Sequence, residues 1–498
     1  MASQIRLEDL TYYPRLMILS SIAWFFAGGA AGLAMVLAHL TGALRIADYN
    51  MLLTFHGVVM PFGGLFQLMM GLSLLRVGFC YGKSVKGPLV KASYFTLNVG
   101  LLLILAAIFV FGVRTSYTLM FPLPASGALK GLWSLEGLTI FVWGIILVLA
   151  VIITLYPASL ARLMFGGKTQ EAFVLERFVG TLNPAGMAGM LPYIFIIPPL
   201  GTAIAIGAVT IGLALLGAIP LSSAGWVLHP LNFNYPFWIW AHNLMEAMGI
   251  MAIGTVYWLI PRYTAVLRSS EVVEPRLYSE KLGIFAIVFY STAAVIAFPH
   301  HLFTMPTSQP AGLSYTGQIA SWLTGFGAAF SVFNVLATAY AFGLRLTPAS
   351  LAAMLGFAVY IVDGFLAMQL GTIGWAYRLH GTYAVTAHLM TILLAVSLIW
   401  IGALYHSYRL LFGTEVNKKL AYIHIILTAV AALGLFYFMA FMGGAGTPRR
   451  AYPLPIPSDT GVLGLVGFGV LLAAAQAIFL AQLFKSLSKP HHYISDTV

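Results

Sequence analysis

Long apolar runs alternate with short polar breaks from one end of the chain to the other. Runs of about 20 apolar residues or more cross a bilayer as helices. Twelve such runs are predicted, at about 14–41, 49–75, 92–113, 133–160, 188–219, 233–261, 282–305, 315–343, 349–372, 379–408, 420–442 and 461–484. No soluble domain, long linker, low-complexity tract or short-period repeat interrupts them. The expectation is an all-α membrane protein, a single twelve-helix transmembrane domain over residues 1–498. The first run is too long for a signal peptide and lacks its cleavage pattern.

Composition agrees, and charge adds orientation. The 498 residues are 60% hydrophobic and 8% charged, with mean hydropathy +0.92, values of the polytopic membrane class. Of the 25 lysines and arginines, six (Arg45, Arg114, Lys130, Arg378, Arg449 and Arg450) fall in loops on one side of a twelve-span chain. The other nineteen share the side of the N-terminus. The positive-inside rule then puts both termini in the cytoplasm. Topology accounts for the net charge of +11, so nucleic-acid binding is a poor reading of it. Cys80, the only cysteine, cannot form an internal disulfide, a CxxCH haem attachment or a dithiolate copper site. The C-terminal KPHHYISDTV reads as a polar tail in which His491 and His492 are solvated.

A few polar residues inside the apolar runs carry the candidate chemistry. His56 lies near the outer start of the second run and His242 near that of the sixth. His300 and His301 lie at the outer end of the seventh, and His388 near the outer start of the tenth. At 1.5 Å per residue all five sit roughly 7–15 Å beneath the outer surface. A single buried histidine is ordinarily a hydrogen-bonded core residue. Five at one depth on four helices point to metal or haem binding, because neutral imidazole is the commonest metal ligand and helical bundles build such sites from inward-facing side chains. Adjacent residues such as His300 and His301 project about 100° apart on a regular helix, which suits two ligands on one ion, and Pro299 loosens the turn before them. His242 and Glu246 share one helix face, one turn apart. A carboxylate at that depth is costly and rarely idle. Asp363 in the ninth run is a second such group, read either as a proton-transfer residue or as a structural hydrogen bond to a neighbouring helix.

Five segments, in order, resemble the catalytic subunit of the haem-copper oxidoreductase superfamily, the cytochrome oxidase subunit I-like proteins. They are DYNMLLTFHGVVMPF, FWIWAHNLMEA, FPHHLFTM, LHGTYAVTAHLM and GTPRRAYP. The superfamily contains dioxygen-reducing terminal oxidases and nitric oxide reductases. The resemblance implies that His56 is an axial ligand of a low-spin haem and His388 the proximal ligand of a high-spin haem. It implies that His242, His300 and His301 hold a second metal facing that haem, and that Arg449 and Arg450 pair with haem propionates. His380 stands near a propionate-side or non-redox metal position, but its usual acidic neighbour is Gly381 here, which argues against a metal there.

Three departures from the family pattern direct the functional reading. Oxidases commonly carry a tyrosine four residues after the sixth-span histidine, where this chain has Glu246. Another oxidase branch puts the tyrosine six residues before the paired histidines, where this chain has Ala294, and Tyr290 lies ten residues from His300, too far to neighbour the metal. The nitric oxide reductase branch has His-x-x-x-Glu, as here, with the glutamate at or beside a non-haem iron. Adding a carboxylate oxygen to three imidazoles shifts preference from copper toward iron. Glu246 could instead relay protons, or be a protonated side chain bonded to a neighbouring helix. Second, many relatives read His-x-His where this chain has His388-Leu389-Met390, so Met390 is either the second ligand of the low-spin haem, raising its potential, or a core methionine. Third, Ser331 stands where oxidases place a lysine on the cytoplasmic proton path. With no carboxylate near the cytoplasmic entrance of the first five spans, the expectation is uptake from the outer side, without pumping.

These features predict a nitric oxide reductase-like enzyme with a low-spin haem, a high-spin haem and a second metal, non-haem iron or copper. The alternative is an atypical terminal oxidase that reduces dioxygen without the usual tyrosine. A transporter that kept the bundle is the rival of another class. Electrons are expected from a partner subunit carrying copper or cytochrome, or from quinol. The expected setting is the plasma membrane of a prokaryote, with the metal centres toward the outer side.

Overall fold

The structure, a computed structural model, describes residues 7–115, 127–128, 130–166, 183–264, 276–304, 309–454 and 459–488. His491 and His492, and the loop charges Arg6, Lys168, Arg177, Arg268 and Lys489, lie outside the described residues. Among the described residues, twelve helices are long and apolar enough to cross a membrane: α1 (Leu7–Thr41), α2 (Ile46–Tyr81), α3 (Pro88–Phe109), α4 (Leu135–Phe165), α5 (Pro184–Leu215), α6 (Leu231–Tyr263), α7 (Glu280–Leu302), α8 (Ala311–Phe342), α9 (Pro348–Leu370), α10 (Tyr383–Phe412), α11 (Lys418–Gly444) and α12 (Asp459–Leu487). The expected count of twelve is met, and among the described residues the only β pairing is two isolated bridges. Most helices overrun the apolar run by several residues, because backbone hydrogen bonding continues past the apolar stretch to the nearest cap or breaker.

The chain divides into two compact units, Met1–Ala172 with Tyr193–Leu244, and Phe173–Pro192 with Met245–Val498. In the first, α1 packs along α2, and α4 is flanked by α3 and α5. Two helices of this unit change pitch. Val59–Phe66 of α2 and Val151–Leu155 of α4 are π-helical, the first containing Pro61 and the second followed by Pro157. Proline has no N–H to donate and its ring crowds the carbonyl four residues back, so a wider turn relieves both problems.

In the second unit α7 pairs with α8, α9 with α10, α10 with α11 and α11 with α12. Lipid offers no hydrophobic drive for helix pairing, so close contact comes from small residues. At Gly356 of α9 an added Cβ would stand 2.8 Å from the Ala395 carbonyl oxygen of α10, which shows how near the two backbones run. Helix starts are capped by hydroxyls: Ser279 Oγ accepts from Leu282 N at 3.1 Å, and Thr347 and Ser350 form a reciprocal capping box at α9. The tenth run, expected from 379, becomes regular helix only at Tyr383. Gly381 adopts φ +78°, a left-handed conformation that glycine takes without strain, and Thr382 then caps α10. The end of α7 tightens into a 3₁₀ turn, Phe298–Leu302, around Pro299. In that geometry successive residues project about 120° apart.

Candidate metal centre

His300 and His301 ride on that 3₁₀ turn, and their ring centroids are 4.2 Å apart. His242 comes from the continuous helix Pro230–Leu259. One ligand nitrogen from each of the three imidazoles lies within 4.8 Å of the others. Three converging imidazoles suit a four-coordinate transition metal with one position left for a substrate.

The hydrogen bonds of the His300 ring decide which nitrogen serves. His300 Nδ1 is 2.8 Å from Ser321 Oγ, and that hydroxyl donates its one hydrogen to the Gly317 carbonyl at 2.6 Å. Ser321 must therefore accept from Nδ1–H, which leaves the lone pair on Nε2. The same tautomer is set at His56, whose Nδ1 faces the Gly28 carbonyl oxygen at 2.8 Å. It is set again at His388, whose Nδ1 lies 3.1 and 3.0 Å from the two oxygens of Asp363. The His56 ring lies so close to α1 that an added Cβ at Gly32 would stand 2.7 Å from its Cε1 and 2.8 Å from its Nδ1. These settings fit the metal and haem ligation the sequence implies: each ring is held by Nδ1 and presents Nε2. Met390 follows His388 by two residues on α10, so it projects about 200° away, and it is partly buried.

Glu246 is one turn beyond His242 on α6, yet among the described residues it falls outside the three-imidazole group. Its Oε2 accepts from the Tyr290 hydroxyl at 2.7 Å, and the Tyr290 hydroxyl is 2.7 Å from that of Tyr360. Tyr290 has one hydrogen, which goes to the carboxylate, so Tyr360 donates to Tyr290. A directed chain thus runs from α9 through α7 to α6. Both phenol side chains are buried. Tyr290 lies ten residues from His300 along α7, yet its hydroxyl meets the carboxylate one turn beyond His242 on α6. Tyr360 could have been noticed from sequence, since it shares a face with Asp363 three residues on. Ser321 and the Gly28 carbonyl carry no sequence signal of their role.

The loop that holds Arg449 and Arg450 is fastened to the start of α10. Arg449 N donates to the Gly381 carbonyl at 2.9 Å and Tyr383 N to the Thr447 carbonyl at 2.9 Å. Arg450 takes a left-handed φ of +64°. His380 keeps a solvent-facing edge. Desolvation, then the charges of Arg449 and Arg450, push its imidazole down to about 4. The structure thus brings both arginines beside His380. Ser331 is buried with its hydroxyl 3.4 Å from the Gly327 carbonyl of its own helix. Asn334 holds the backbone of Ser279, and Glu280 accepts from Asn183 Nδ2 at 2.9 Å and from Ala185 N at 3.0 Å. Asn334 and Glu280 thus fasten the beginning of α7.

A family model described as Cytochrome C and Quinol oxidase polypeptide I matches residues 14–478. Quinol oxidase subunit 1 of Bacillus subtilis is 24% identical over 450 residues, 87% of this chain and 65% of its own length. Alternative cytochrome c oxidase subunit 1 of Bradyrhizobium diazoefficiens is 26% identical over 266 residues, 52% of this chain and 43% of its own length. The chain thus spans between about two fifths and two thirds of these relatives. A heme-copper terminal oxidase dimer solved by cryo-EM matches with TM-score 0.77 and 17% identity, over 97% of this chain and 85% of that one, a likeness of fold.

Proposed function

The chain belongs to the cytochrome c and quinol oxidase polypeptide I family, and from that membership we propose that it is the catalytic subunit of a membrane oxidoreductase that reduces nitric oxide. Two molecules of nitric oxide, two electrons and two protons would give nitrous oxide and water. The observation that carries this reading is the carboxylate of Glu246 one turn from His242, in the place where oxidases commonly hold a tyrosine, with Tyr290 donating to it at 2.7 Å.

His242, His300 and His301 would hold the second metal, non-haem iron or copper. His56, with Met390 as the second ligand, would hold a low-spin haem, His388 a high-spin haem, and Arg449 and Arg450 the propionates. The metals would supply electron transfer and polarisation of the bound gas. The protein's own part is proton delivery and exclusion of water. Glu246, one turn from His242 on α6, would pass protons to the site and add a carboxylate oxygen to the second metal, which would favour iron over copper. The phenols of Tyr290 and Tyr360 point their hydrogens toward it. Ser331 in the place of the lysine of the oxidase proton path supports proton entry from the outer side, without pumping. Electrons would come from a partner subunit carrying copper or cytochrome, or from quinol. The chain would act as one twelve-helix catalytic domain in the plasma membrane of a prokaryote, termini in the cytoplasm and metal centres toward the outer side.

A second reading, dioxygen reduction, is favoured by the same Tyr290 hydroxyl, a phenol near the site on a helix other than the usual one, and by relatives named as oxidases. Turnover of the purified complex tests the choice. Nitrous oxide should form rapidly from nitric oxide; rapid dioxygen consumption with negligible nitrous oxide would overturn the proposal. Metal analysis with electron paramagnetic resonance should find iron at the second site and His/Met ligation at the low-spin haem.

A further inference from the structure

Asp363 is 2% exposed in the middle of α9, and it spends both carboxylate oxygens on one atom, Nδ1 of His388, at 3.1 and 3.0 Å. A carboxylate at such depth is retained only with a specific partner. Three of the candidate ligand imidazoles have anchors of three kinds: a backbone carbonyl for His56, a hydroxyl for His300 and a carboxylate for His388. A carboxylate is the strongest acceptor of the three. It draws the Nδ1 hydrogen furthest toward itself and so makes Nε2 of the same ring the strongest electron donor.

We infer that Asp363 is a positioning residue that fixes the tautomer of His388 and raises its donor strength toward the high-spin haem. This inference rests on the assignment of His388 as that haem's ligand. The closeness of α9 and α10 at Gly356 brings the two side chains within reach, two turns further along α9. His56 and His300, by contrast, have uncharged anchors. A stronger donor favours the oxidised iron, so the high-spin haem should have a lower midpoint potential than it would with a neutral anchor.

The test uses the purified holoenzyme complex. His388→Gly should lose the axial signature of the high-spin haem, and added imidazole should restore it. N-methylimidazole fills the same space but has no N–H to give Asp363. Two readouts are compared: the iron–imidazole stretching frequency by resonance Raman, and the midpoint potential from spectroelectrochemical titration. The imidazole adduct should match the wild type in both. The N-methylimidazole adduct should show a lower frequency and a higher potential. In the full chain, Asp363→Asn and Asp363→Leu should shift the same way, Leu more than Asn, and Asp363→Glu should recover most of the wild-type signal. Equal frequency and potential for the two adducts, with Asp363→Asn like wild type, would make Asp363 a tie between helices and overturn the inference. If the Asp363 variants fail to fold, the pair of adducts still decides. An unaltered haem spectrum in His388→Gly would remove the ligand assignment itself, a failure distinct from equal adducts, and would overturn the inference with it.

Discussion

Glu246 answers to two neighbours at once, the helix turn that sets it beside His242 and the phenol of Tyr290 that donates to its Oε2. A group that moves protons in the rate-determining step contributes typically 10²–10⁴-fold. Glu246→Ala should therefore lower nitric oxide reduction by about 10²- to 10⁴-fold with the haem spectra intact, read with a nitric oxide electrode. Full retention of activity would remove the main support for the proposed function. Tyr290→Phe deletes one hydrogen bond to a carboxylate, worth about 1.5–3 kcal/mol, which predicts roughly a tenfold or larger loss of turnover. Tyr360→Phe should cost less, because Tyr290 keeps its own hydrogen on Glu246. Residue by residue, the histidines were legible in the sequence because few other side chains justify a polar ring at that depth. The partners of those histidines were not. The Gly28 carbonyl, Ser321 and the pairing of Asp363 with His388 depend on which helix faces meet, and nothing in a single run of residues encodes that.

Helices set those faces, and two substitutions probe them. At Gly32, α1 passes so close to the His56 ring that any side chain must displace it. Gly32→Val should keep the fold and shift or abolish the low-spin haem absorbance, while Gly29→Val on the neighbouring turn, where an added Cβ meets nothing within 4 Å, should leave it unchanged. At Met390, replacement by histidine should lower the low-spin haem's potential if the thioether ligates and leave it untouched if Met390 is only core. Redox titration separates the two outcomes. The existence of the twelve helices was readable from apolar run length, since a bilayer demands it. Their ends were less so. The start of α10 moved to Tyr383 because Gly381 and Thr382 decide it locally, and the tightening of α7 at Pro299 turned two histidines that a regular helix would have spread differently.

At the scale of the whole molecule, stability responds to acidity and helix register to chain length. The His380 imidazole, ordinarily 6.5, is held near 4 by desolvation and then by the charges of Arg449 and Arg450. The unfolded chain therefore binds the extra proton first, so stability contributed by this corner is complete above about pH 6.5 and is lost as pH falls through about 4. The melting temperature of the complex should drop across that window, and His380→Asn should flatten the drop. Length is governed by the π-helical stretches Val59–Phe66 and Val151–Leu155. A π turn carries a surplus residue that an α turn would not hold. Removing one residue there can return the helix to ordinary pitch while the segments before and after keep their faces, whereas a deletion elsewhere in α2 rotates everything beyond it by about 100°. Single-residue insertions and deletions that separate this chain from its relatives should therefore gather at residues 59–66 and 151–155. Deletion of Met60 should be tolerated where deletion of Leu53, three residues before His56, should turn that histidine away from its anchor on Gly28.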